Sequence, residues 1–194
     1  LEIVPFAVRH RGVAFGYALV EDARPGRLDA ELAERLGVVP GPDFGRLQRG
    51  EVVDGVRPEQ VIGERRLGRR VIVTGDTAPT DAVVVAAHRA DVLVHEATFG
   101  HDEAERAAQT AHSTARQAAQ VAADAEVGLL ALTHLSARYA GGELRDEARA
   151  VFPDTEVARD FDTIELPLPE RGAPVLVRWD GGRRAAPAGV DAGG

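Results

Sequence analysis

Five residues of metal-ligating type stand where an apolar run of the chain stops: His10, Asp76, His95, Glu96 and His134. Where strands alternate with helices, ligands and catalytic groups gather beyond the carboxyl ends of the strands, so these convergent endings mark a candidate site. The chain has six histidines and no cysteine, which excludes disulfides and thiolate ligands and leaves His, Asp and Glu to hold any metal. His10, Asp76 and His134 offer neutral or anionic ligands from three separate strand ends, the arrangement that a carboxylate-bridged pair of borderline cations needs. Spacing by itself is a weak argument for that. A strand-end histidine is more often a hydrogen-bonded surface or core residue, and Asp76, shortly before Ala78-Pro79-Thr80, also reads as a helix N-cap.

The pattern around these residues predicts a layered α/β architecture. A strand from Glu2 to Val8 ends in Arg9-His10-Arg11-Gly12, and the β pattern resumes from Ala14 to Val20. β-branched runs from Arg69 to Thr74 and from Asp91 to Val94 stop at Gly75-Asp76-Thr77 and His95-Glu96-Ala97-Thr98, with a helix from Asp81 to Arg89 between them. An alanine-rich helix from Ser113 to Ala125, with Ser113 as N-cap, precedes a strand from Gly128 to Leu132 that stops at Thr133-His134-Leu135-Ser136. A helix from Gly142 to Val151 and one strand within Glu156 to Leu168 complete the body, residues 1–168. Residues 169–194 are expected to be a disordered tail, its Ala/Gly/Pro-rich part beginning at Arg183. From Glu21 to Gly63 the texture changes. Arg24-Pro25-Gly26, a short helical stretch from Asp29 to Leu36, Val39-Pro40-Gly41-Pro42 and a polar segment through Gly55 read as an excursion from the body.

Composition agrees with this. At 194 residues, 44% hydrophobic and 28% charged, the chain has the make-up of one soluble globular domain, and 5% aromatics means a core of Val, Leu, Ile and Ala. There is no run of 18 apolar residues and no charged-then-apolar leader, so neither a membrane span nor a secretory signal is indicated and a cytoplasmic location is the default. The chain begins at Leu1 and contains no methionine, and is read as a fragment. A formal net charge of -8 argues against indiscriminate nucleic-acid binding; a nuclease would need its positive charge in a patch or in metal ions.

Taken together in order, Val8-Arg9-His10 with Phe15-Gly16-Tyr17, Pro40-Gly41-Pro42, Thr74-Gly75-Asp76-Thr77, Val94-His95-Glu96-Ala97-Thr98-Phe99, Ala111-His112-Ser113-Thr114 and Thr133-His134-Leu135-Ser136-Ala137-Arg138-Tyr139 resemble ribonuclease Z, from Glu2 to about Leu166. The resemblance implies a metallo-β-lactamase fold, an αββα sandwich of two mixed sheets between helices, of which this chain would be the C-terminal half. It implies two zinc ions, with His10 on one, His134 on the other and Asp76 bridging, and it places His112 beside the leaving oxygen as a proton donor. His95 and Glu96 lie in a family signature as residues that brace the site rather than bind zinc. The family's His-x-His-x-Asp-His motif is absent from these residues, so the ligands present are too few to hold two metals firmly. His88 and His101 fall outside every matched motif and carry the plainer reading.

The excursion, about 21–63, matches the position of the family's flexible arm, which grips the tRNA elbow. Arg46 and Arg49 are the candidates for phosphate contact there, in a stretch from Arg24 to Arg70 with ten arginines against eight acidic residues. Arg138 and Tyr139 could hold a phosphate or base, or simply pack, and the pairs Arg65-Arg66 and Arg69-Arg70 read as a solvated turn. The expected activity is zinc-dependent endonucleolytic removal of the 3′ trailer from precursor tRNA, by a homodimer in which one subunit's arm serves the other's site. The alternatives are another hydrolase of the same fold, such as a phosphodiesterase or arylsulfatase-like enzyme, and a tRNA-binding fragment without catalysis.

Overall fold

A computed structural model of the chain describes residues 1–181. Its strands are β1 (Glu2–His10), β2 (Gly12–Val20), β3 (Arg70–Val73), β4 (Val92–Glu96), β5 (Leu129–Thr133), β6 (Thr155–Val157), β7 (Thr163–Glu165) and β8 (Val175–Val177). Its helices are α1 (Ala30–Arg35), α2 (Pro42–Gln48), α3 (Pro58–Val61), α4 (Asp81–Ala87), α5 (Ala104–Thr110), α6 (Ala115–Asp124) and α7 (Gly141–Arg149). The first six strands form one mixed sheet in chain order, and β7 pairs with β8 in a separate two-stranded sheet.

Strand direction sets where the chemistry can gather. β1 is antiparallel to β2 and β2 to β3, whereas β3 through β6 are mutually parallel. β1 therefore runs the same way as β3, β4 and β5, and the carboxyl ends of all four lie along one edge. Alternate strand residues Ala18, Ile72, Leu93, Leu130, Leu132 and Val157 turn to one face and bury with Val83, Ala87, Ala118, Ala119, Ala122 and Leu144 from α4, α6 and α7. The alanines of α6 bring that helix close to the sheet with no side-chain entropy lost. On the opposite face, Val13, Phe15 and Tyr17 of β2 stand exposed beside Ile3 of β1. Among the described residues the expected sandwich is thus present as one six-stranded sheet with helices on one face; on the other, β1 and β2 are exposed while Val92, Leu129 and Ala131 of β4 and β5 are buried.

Residues Glu21–Gly68 form a compact unit of their own. Ala33, Val38, Leu47, Val53, Val56 and Val61 are buried together as its core, so the stretch expected as a 21–63 arm is a packed miniature domain reaching Gly68. Asp29 caps α1 by accepting from the Leu32 N–H at 2.9 Å, as its position before the helix suggests. The Pro-Gly-Pro run starts a helix: Gly41, at φ 136°, takes the N-cap place and Pro42 opens α2. Gly26 lies against the backbone of Gly63 so closely that any Cβ would overlap it.

Four further expectations are corrected. The cap of α6 is Thr114, in a reciprocal capping box with Gln117, while the Ser113 hydroxyl donates to the Thr77 carbonyl at 2.7 Å. The cap of α4 is Thr80, not Asp76, which leaves that carboxylate available. The single strand expected within 156–168 is two, β6 and β7, divided by a turn at Arg159–Asp162. Residues 169–181, expected as tail, carry a 3-10 turn at Pro169–Arg171 and β8; the rest of that expected tail lies outside the described residues.

The turn before β7 makes a testable point. The Asp162 carboxylate accepts from the Trp179 N–H at 2.9 Å, from Arg178 at 2.8 Å and from the Arg159 N–H at 3.0 Å, and these bonds hold it below the usual aspartate range. A depressed folded value means that its stabilisation is complete above the unfolded value of about 4 and is lost as pH falls through the lower folded one. Trp179 is the chain's single tryptophan and touches Phe161 with ring centroids 5.0 Å apart. Its fluorescence is expected to report an acid transition below pH 4 that Asp162→Asn abolishes; an unchanged transition in that variant refutes the assignment.

Candidate metal centre

The carboxyl edge of the sheet assembles the sequence candidates. His10 ends β1, Asp76 follows β3, Glu96 ends β4, and His134 follows β5. His112 comes from a loop between α5 and α6 that α5 delivers by ending in left-handed Ala111, φ 59°. The His112 ring lies 4.9 Å from that of His10 and 5.4 Å, stacked, from that of His134. Asp76 Oδ1 is 3.5 Å from His134 Nδ1. Ligand atoms of His10, Asp76 and His112 fall within 4.8 Å of one another, as do those of Glu96, His112 and His134.

The loop holding Asp76 is pinned on three sides. Gly75 takes φ 64°, a left-handed turn that favours glycine. The Ala78 N–H donates to the Arg9 carbonyl at 2.8 Å, the Arg9 N–H donates to Thr77 Oγ1 at 3.1 Å, and the Thr77 carbonyl accepts from Ser113. Buried Thr77 thereby fastens the Asp76 loop to the strand carrying His10 and to the loop carrying His112.

Glu96 is the hub. It is 1% exposed, and its two oxygens accept from the Thr77 N–H at 2.8 Å, the Thr98 N–H at 3.1 Å, the Thr98 hydroxyl at 2.7 Å, the Ser113 N–H at 3.1 Å and His112 Nδ1 at 2.7 Å. A carboxylate has about four lone-pair sites. With five donors on it, Glu96 has none left for a cation despite its proximity, and it acts as an anchor for three loops.

These partners decide which ring nitrogen each histidine presents. His10 Nδ1 lies 3.0 Å from the Ala111 carbonyl, which can only accept, so Nδ1 carries the proton. His112 Nδ1 likewise donates to Glu96. The Thr98 hydroxyl gives its one proton to Glu96, so His134 Nδ1, 2.8 Å from it, must be the donor of that pair. All three rings therefore use Nδ1 inward and leave Nε2 facing outward, an acceptor whenever the ring is neutral, as in a histidine ligand that an outer partner orients. His134 is held in a left-handed backbone conformation, φ 54°, which a non-glycine residue adopts at some cost and which functional sites concentrate. Imidazoles and a free carboxylate, with no thiolate, suit a divalent cation of borderline hardness.

His95 stands apart. It is fully buried, its Nδ1 donates to the Glu96 backbone carbonyl at 2.7 Å, and its Nε2 has no partner among the described residues. Burial holds it below the usual imidazole range, hence neutral. His88 ends α4, and His101 opens a 3-10 turn with its N–H on Glu147 at 3.0 Å. Arg46 and Arg49, in the separate unit Glu21–Gly68, both contact Glu51, at 3.0 and 3.2 Å, and Arg46 also meets Asp43 at 3.1 Å. Sequence reasoning missed Thr98 and Thr77 as functional partners; their places beside His-Glu and Asp in the two loops were the available signal.

No family model matches the chain. It is 55% identical over 174 residues to the ribonuclease Z of Haloferax volcanii, a match covering 86% of this chain and 55% of that protein. The chain spans about half the length of the curated relatives it matches. A metallo-beta-lactamase fold protein of Bacillus subtilis superposes with a TM-score of 0.53 at 20% identity, over 81% of this chain and 46% of that one. Human tRNase Z, short form, gives 0.52 at 23% identity, over 85% of this chain and 43% of that one. Fold, site-loop sequences and overall identity agree: the chain has the metallo-β-lactamase fold and belongs to the ribonuclease Z family.

Proposed function

We propose that the protein to which this chain belongs is a zinc-dependent endoribonuclease that removes the 3′ trailer from precursor tRNA and leaves a tRNA 3′-hydroxyl. The observation that carries the reading is the trio of His10, His112 and His134, each with Nδ1 occupied and Nε2 open, around Asp76 at one sheet edge. His10, Asp76 and His134 are the residues that would hold metal. A bound pair of zinc ions supplies an acidified water and offsets negative charge on the phosphoryl oxygens. Attack of water on phosphorus forms the new P–O bond, releases a water proton to solvent and breaks the bond to the 3′ oxygen; that oxygen takes a proton from Nε2 of the doubly protonated His112, which returns to the neutral ring held through Nδ1. Glu96, fixed by backbone N–H groups, orients the ring and supplies the counter-charge while it carries both protons. His95 keeps β4 packed behind Glu96. The open apolar face of β1 and β2 is where the second sheet of the sandwich packs. The protein acts in the cytoplasm as a homodimer. Among the described residues no helix is long and apolar enough to cross a membrane.

The test is metal content and single-turnover cleavage of a precursor tRNA by the full-length protein, alongside Asp76→Ala. Wild type is expected to retain two zinc ions and cleave at the discriminator base, and the variant to lose metal and activity together. A protein that binds precursor tRNA without cutting it supports the binding-fragment alternative, and one that cuts only small phosphodiesters supports the other hydrolase.

The unit Glu21–Gly68 contributes tRNA binding through Arg46 and Arg49. Each shares Glu51, whose carboxyl these arginines hold below the usual range, so RNA phosphate must compete with an internal partner. Changing both arginines to Ala is expected to weaken precursor tRNA binding about 10-fold and leave hydrolysis of a small phosphodiester nearly unchanged, because remote phosphate contacts position the substrate. Equal losses on both substrates refute this role.

A further inference from the structure

His10 and His112 of the histidine trio also line a cleft of about 270 Å³ with an unusual wall: Arg11, Arg106 and Arg138 stand in it, and no carboxylate does. The three arginines come from unrelated places. Arg11 sits at the tip between β1 and β2, Arg106 on α5, and Arg138 in the loop after β5. In a chain of net charge -8, three guanidinium groups converge on one concavity, and a single carboxylate behind the wall, Glu103, offsets two of them.

Two of the three are braced from behind. Arg138 meets both oxygens of Glu103 at 3.0 Å, the Tyr139 hydroxyl donates to the same carboxylate at 2.6 Å, and Arg106 approaches it at 3.5 Å while its guanidinium lies 6.0 Å from the Phe99 ring centroid. Glu103 is consequently held below the usual glutamate range and stays ionised. That brace leaves the cleft with a net positive wall. Arg11 makes no ion pair among the described residues, and a planar fork of donors without a partner is the group best suited to seize a phosphate.

We propose that this cleft is a subsite for a backbone phosphate of the RNA strand adjoining the scissile one, with Arg11 as its primary contact and the Glu103-braced Arg106 and Arg138 as its wall. The proposal rests on the functional reading above and deepens it. It selects a polynucleotide over a small phosphodiester, because only a strand has a neighbouring phosphate to place there.

The probe is a 12-nucleotide single-stranded RNA bound to the full-length protein in EDTA, where affinity is read without cleavage. Replacing one phosphate at a time by a neutral methylphosphonate is expected to find one linkage at which binding weakens about 10-fold. Arg11→Ala is expected to cost a similar factor, to lower the magnitude of the salt slope by about 0.7, and to remove the penalty at that linkage alone, whereas Arg11→Lys keeps the slope. Arg106→Gln is expected to weaken binding with the penalty at that linkage reduced. Additive losses at every linkage, an unchanged slope in Arg11→Ala, or no measurable binding of the oligonucleotide by wild type overturns the proposal. A failure of the tRNA reading shows separately, as RNA cleavage that ignores the tRNA body while the Arg11 coupling persists.

Discussion

On the proposed function, His112→Ala in the full-length protein is expected to keep bound zinc and affinity for precursor tRNA while slowing cleavage by roughly 100- to 10,000-fold, the usual worth of a positioned proton donor. The expectation rests on the attachment of the ring. Its Nδ1 is fixed to Glu96 at 2.7 Å, in a loop tied to the Asp76 loop through Ser113 and Thr77. Removing the imidazole leaves Glu96 its four other donors, so the site keeps its shape. Proximity alone allows the opposite role, since His112 lies within ligand range of His10 and Asp76. Zinc content decides between them: a His112 variant that loses metal together with activity makes the residue a ligand.

Glu96→Gln should be the most damaging near-isosteric change in the chain. One carboxylate oxygen becomes an NH₂ group in a pocket where every neighbour is a donor, so at least one of the N–H groups of Thr77, Thr98 and Ser113 faces another donor. Breaking one partner out of a buried charged network costs about 3–5 kcal/mol. Chemical denaturation is expected to register a loss of that size, and cleavage should fall at least as far as in His112→Ala, because three loops lose their common anchor. Wild-type stability in this variant refutes the role of Glu96 as hub.

The places of the candidate site residues were legible in the sequence because their signal is local. A His, Asp or Glu at the abrupt end of a β-branched run marks a strand terminus at the carboxyl edge, and this held for His10, Asp76, Glu96 and His134. Element types in the body were legible for the same reason, as periodicity reads one segment at a time. Helix starts were less so: Ser113 and Asp76 have cap chemistry, yet Thr114 and Thr80 are the caps, because long-range bonds to Thr77 and around the sheet edge decide which side chain is free to turn back.

The functional arrangement belongs to tertiary structure. Strand order and direction make β1 parallel to β3, β4 and β5, and only that brings His10, 124 positions before His134 in the chain, to the same edge. Which imidazole nitrogen is open depends on the Ala111 carbonyl, Thr98 and Glu96, partners between 16 and 101 residues away for the three histidines. The excursion was visible as a change of texture, but its core of Ala33, Leu47 and Val61 is scattered through short segments whose burial no local pattern encodes. Local chemistry named the candidate ligands; long-range pairing gave them their Nδ1 partners, their common edge and their anchor.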